Sequence, residues 1–148
     1  MLRALALSAL VLLGACSSEK IDRLEMRGLG REVFVDAQGS GQYRLLAEST
    51  QKEGTFTIST DQFRQLLRQL DPYRNAPEAT PRDGLATSAS KPCPDQYLTD
   101  QGGFYVHWIG PSIDQHYFVD LGCEPTKNAV RNSQLRALLT SLPGPSAR

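Results

Sequence analysis

Residues 104–121 constrain this chain more than any other stretch: Phe104-Tyr105-Val106-His107-Trp108-Ile109, then Gly110-Pro111-Ser112-Ile113, then Asp114-Gln115-His116-Tyr117-Phe118-Val119-Asp120-Leu121. Strand side chains alternate faces, so a reversal at Gly110–Ile113 puts Phe104, Val106, Trp108, Tyr117, Val119 and Leu121 on one face. A lone hairpin is marginal in water and such a face demands a cover, so further strands and helices must pack against it.

The covers are written as two helical stripes. Ser59 with Gln62 three residues later is a capping box, and Ile58 with Phe63 is the matching hydrophobic staple. Phe63, Leu66, Leu67 and Leu70 then recur at helical spacing, and Asp71-Pro72 is the predicted stop. Leu135, Leu138, Leu139 and Leu142 form a second stripe, closed by Pro143. Earlier, Arg31–Asp36 and Gln42–Leu46 flank Ala37-Gln38-Gly39-Ser40-Gly41 as a hairpin, and Thr55–Ile58 reads as a third short strand. The expected class is α+β: a small antiparallel sheet of two hairpin units, with two helices packed on one face.

The N-terminus carries a different signal. Met1-Leu2-Arg3 supplies a positive charge, and Ala4 to Leu13 is uncharged with Ser8 its one polar residue. At about 10 residues the run is too short to span a bilayer, which takes about 20, but it suits a signal peptide. Leu13-Gly14-Ala15-Cys16 follows at once and resembles the lipobox of bacterial lipoproteins. The resemblance implies cleavage after residue 15, acylation of Cys16, and a tether over residues 16–22 leading to one domain over 23–148. It also implies residence in the cell envelope. Ser17, where an aspartate would favour inner-membrane retention in Gram-negative bacteria, points to the periplasmic face of the outer membrane. Three acyl chains give stable anchoring without a span.

Acylation of Cys16 leaves Cys93 and Cys123. An even pair in an exported chain is most simply a disulfide, and one connectivity exists. Between the first helix and Cys93 lies a proline-rich stretch with almost no apolar periodicity, so residues 71–102 read as a long loop pinned at its far end by that disulfide. The strand, helix, loop, hairpin and helix pattern over residues 31–142 resembles some small bacterial lipoprotein domains of unknown function, from which no activity carries over.

Composition narrows the partners. Sixteen basic residues balance 16 acidic ones, which excludes a surface built to neutralise nucleic-acid phosphates and a polybasic membrane patch. Signs of catalysis are lacking. Ser88-Ala89-Ser90-Lys91 has Ser-x-x-Lys spacing but sits in a loop before Pro92, without the companion motifs of penicillin-recognising enzymes. Gly39-Ser40-Gly41 is turn chemistry rather than a nucleophile elbow.

One constellation remains. With the turn at Gly110–Ile113, Ile109 opposes Asp114 and His107 opposes His116, leaving Tyr105, His107, His116, Phe118 and Asp120 on the face away from the core. Two facing imidazoles can hold Zn²⁺ or Cu²⁺ or sense protons, with Asp120 the only nearby candidate for a third ligand, and the plainer reading is a pair of surface histidines. Two histidines make an incomplete site, so neither a metal nor any other cofactor is required. The leading expectation is a non-enzymatic envelope binding module that contacts another envelope protein through the loop, for instance as a hydrolase inhibitor. The alternatives are a small-ligand or metal carrier using the outer hairpin face, and a purely structural domain.

Overall fold

The computed structural model describes residues 19–46, 52–76, 79–81 and 93–144. Its elements are β1 (Arg23–Gly28), β2 (Arg31–Asp36), β3 (Ser40–Leu45), β4 (Lys52–Thr57), helix α1 (Thr60–Arg74), β5 (Ala79–Pro81), β6 (Gly103–Gly110), β7 (Ile113–Asp120) and helix α2 (Ala129–Ser141). The strands form one seven-stranded sheet in the order β4-β3-β2-β1-β6-β7-β5, with every pairing antiparallel. The expected α+β class holds: one antiparallel sheet contains both expected hairpin units, with two helices on one face. β1 fuses the hairpin units, pairing with β2 on one side and with β6 on the other.

Alternation along β1 explains its place. Leu24 and Met26 are fully buried beside Val33 and Val35 of β2 and Val106 and Trp108 of β6. Arg23, Glu25 and Arg27 point the other way. Arg23 pairs with Glu25 at 2.8 Å, and Glu32 takes Arg27 at 2.9 Å and Arg44 at 3.4 Å. The sheet therefore has one dry face and one laced with charge. All six apolar hairpin residues expected on the dry face are buried there. Helix α1 covers them with Phe63, Leu66, Leu70 and Tyr73, and α2 with Leu135, Leu138 and Leu139, so both helices lie on the same face in one core.

Local signals decide the helix entrance. Ser59 accepts the Gln62 amide at 3.2 Å while the Gln62 side chain accepts the Ser59 amide at 2.7 Å, and Ile58 and Phe63 are both buried. The exit differs from expectation: α1 runs through Pro72 to Arg74. Proline forfeits one helical hydrogen bond. Packing holds the last turn in place, because buried Tyr73 meets the ring of Tyr117 at 5.3 Å.

Two further boundaries move. Ile21 is buried and the Asp22 amide donates to the Ile109 carbonyl at 2.8 Å, so the folded domain starts inside the expected tether of 16–22. The expected loop 71–102 contains the end of α1, strand β5 against β7, and a bridge between Tyr97 and Cys123. Cys93 and Cys123 are disulfide-bonded across a separation of 30 residues. Cys16 and Ser17, residues 1–15, and Ser88 to Lys91 lie outside the described residues. Among the described residues, no helix is long and apolar enough to cross a membrane.

Candidate metal centre

The turn between β6 and β7 has Pro111 and Ser112 at its tip, with Gly110 facing Ile113. That fixes the register: Ile109 opposes Asp114, His107 opposes His116, and Tyr105 opposes Phe118. Both imidazoles then project from the charged face, one from each strand. Neither strand is an edge, because β1 flanks β6 and β5 flanks β7. His116 is accordingly 3% exposed although it lies on the face away from the core.

The two rings stack, with centroids 3.8 Å apart and planes 20° from parallel. Their Nε2 atoms share one carboxylate oxygen. His107 Nε2 lies 2.6 Å from Asp114 Oδ1, and His116 Nε2 lies 3.3 Å from the same atom. The remaining ring nitrogens have partners of their own. Tyr105 Oη sits 2.7 Å from His116 Nδ1, and Glu25 Oε2 sits 3.4 Å from His107 Nδ1. Each ring is thereby anchored through Nδ1 and presents Nε2 to a common point. The Asp114 side chain is half exposed, so the point where the three groups meet adjoins solvent.

One ligand atom from each of His107, Asp114 and His116 lies within 4.8 Å of the others. Zinc takes imidazole nitrogen at about 2.0–2.1 Å and carboxylate oxygen at about 2.0–2.2 Å, so the Asp114 carboxylate would have to draw back from His107 to admit the ion among the three groups. Two imidazoles and one carboxylate suit Zn²⁺ and Cu²⁺ rather than the harder Mg²⁺ or Ca²⁺. Glu25 and Tyr105 match the partners that orient metal-binding histidines, in which the second ring nitrogen is held by a carboxylate or another polar group.

Asp120 is not the third ligand. It stands at the opposite end of the hairpin, facing Gly103, where its Oδ1 accepts the Gly122 amide at 2.8 Å. Its charge pushes the Tyr97 phenol above the usual 10, helped by desolvation, a hydrogen bond to Asp120, and Asp100. Asp114 replaces it because a diagonal cross-strand neighbour is within reach of an imidazole, whereas a residue four positions along the strand is not. The signal for Asp114 was present: it precedes His116 by two residues and so shares its face. Glu25 carried no such signal, because it depends on the pairing of β1 with β6. Comparison of the chain with protein-family models and with curated proteins finds no match.

Proposed function

We propose that the protein is a lipid-anchored envelope protein whose exported domain is a non-enzymatic carrier of a divalent transition metal, zinc or copper(II). The observation that carries the metal reading is the convergence of His107, His116 and Asp114, with both histidine Nδ1 atoms separately engaged. Such engagement lowers the cost of ordering the rings when a metal arrives. The anchor rests on Leu13-Gly14-Ala15-Cys16 behind an apolar run, and the disulfide agrees with an oxidising compartment. The reading through loop 71–102, recognition of another envelope protein, draws on residues 82–92, which lie outside the described residues.

The test is a calorimetric titration of the full chain carrying Cys16→Ser with ZnCl₂ and with CuSO₄. One ion should bind per chain and raise the melting temperature, as any ligand specific to the folded state must. Asp114→Asn should weaken binding at least tenfold with the metal-free melting temperature little changed. Neither heat nor a melting shift with either ion would refute the metal reading. The anchor is tested separately, by labelled palmitate that enters the native chain and is lost with Cys16→Ser.

A further inference from the structure

A second site lies where β1 turns into β2 and the chain enters β6. A cavity of about 690 Å³ opens there, within the range of about 300–1,000 Å³ usual for small-molecule sites. It does not use the metal ligands.

Its walls are unusual in two ways. The β1–β2 turn has positive φ at both central residues, 49° at Leu29 and 70° at Gly30. Such turns favour Asn, Asp or Gly at the first of these positions, and a left-handed leucine is strained. Leu29 instead lends a large apolar side chain to the wall, against the edge of the core. Across the cavity, Asp100 and Gly102 also have positive φ, at 63° and 66°. Beside them, the Phe118 ring folds over Gly103, where an added Cβ would stand 2.8 Å from the ring. Leu46, 47% exposed, completes an apolar lining with Leu29, Phe118 and the Tyr105 ring.

Two guanidinium groups border this lining, and they differ. Arg27 is already answered, with Glu32 at 2.9 Å and the Tyr105 ring 5.6 Å below it. Arg136 of α2 donates to two neutral oxygens, the Gln101 carbonyl at 3.2 Å and its side-chain oxygen at 3.0 Å. Among the described residues no carboxylate pairs with it. Asp100, the one acid among the described rim residues, lies close enough to Tyr97 to act on its phenol and makes no ion pair with Arg136. Among the described residues the site therefore offers an apolar bed and one fixed cation, Arg136, that no carboxylate pairs.

We propose that this cavity binds a small amphipathic monoanion, an aliphatic or aromatic carboxylate, with its apolar body on Leu29, Leu46 and Phe118 and its carboxylate on Arg136. Arginine is the side chain suited to such a carboxylate, which it can meet with two parallel hydrogen bonds.

The test is an amide NMR titration of the metal-free full chain carrying Cys16→Ser, with decanoate and, in parallel, decanol. Decanoate should saturate shifts at Gly30, Gly102 and Gly103 with one molecule per chain, and decanol should bind at least tenfold more weakly. Arg136→Gln should remove most of that difference. Leu46→Asp, an exposed change that leaves the core intact, should weaken decanoate at least tenfold. Absence of saturable shifts would overturn the proposal, as would equal affinity for acid and alcohol in the native chain. Binding confined to phosphatidylglycerol vesicles would assign the face to a bilayer and overturn it as well.

Discussion

Arg31 of β2 donates to the main-chain carbonyl of Leu139 in α2 at 3.1 Å, joining positions 108 residues apart in the chain. A second nitrogen donates to Pro143 at 2.8 Å, so a buried guanidinium serves the carbonyls at and beyond the end of the C-terminal helix. These carbonyls have no partner within the helix, and a cation at that end also complements the helix dipole. Burial draws the Arg31 pKa below its ordinary value, partly offset by Tyr43.

Arg31→Ala should therefore loosen the closure of α2 on the sheet. Losing two charge-assisted hydrogen bonds and the packed stem should cost about 2–4 kcal/mol in urea unfolding. Arg31→Met, which restores the stem alone, should recover part of that loss. A change under about 0.5 kcal/mol for the alanine variant would mean that the contact adds nothing.

Replacing both Cys93 and Cys123 by serine should cost roughly 3–4 kcal/mol, the chain-entropy value for a closed loop of this length. The same loss should follow reduction of the native protein. Chemical denaturation with and without reductant measures it.

Ser59→Ala should lower stability by about 1 kcal/mol, because it removes one half of a reciprocal cap at the start of α1. Ser59→Gly should cost only a few tenths of that unit. Thermal melts of the two variants decide the point.

Alkaline stability should depend on Tyr73. Burial raises its phenol above the usual 10, with Arg131 a smaller opposing influence. The folded state then keeps this proton to higher pH than the unfolded chain. Its contribution is present below about pH 10 and is lost as pH rises through the folded value. Melting temperatures taken between about pH 9 and 11.5 should fall less steeply for Tyr73→Phe than for the native protein.

Much of this architecture was legible in the chain because its signals are local. The spacing of two histidines about a Gly-Pro turn set the His107–His116 register, and Ser59 with Gln62 marked the start of α1. β1 was not legible. Arg23-Leu24-Glu25-Met26-Arg27 holds just two apolar residues among charges, and its central position arises from pairing with β6, some 80 residues away. Pro72 misled because the local rule for helix ends yields when a buried aromatic holds the final turn. The metal candidate was half legible for the same reason: Asp114 and both histidines lie on one hairpin, whereas Glu25 reaches His107 from a distant strand. Short-range pattern marked the ligands, and sheet order supplied what orients them.

The central claim, that both imidazoles meet one metal ion through Nε2, is tested most directly by ¹⁵N NMR of the histidine side chains during a Zn²⁺ titration. The Nε2 resonances of His107 and His116 should move together and saturate at one ion per chain, while the Nδ1 resonances keep the signature of hydrogen bonds to Glu25 and Tyr105. Nε2 resonances that stay in place at saturating zinc, or movement of one histidine alone, would contradict the account.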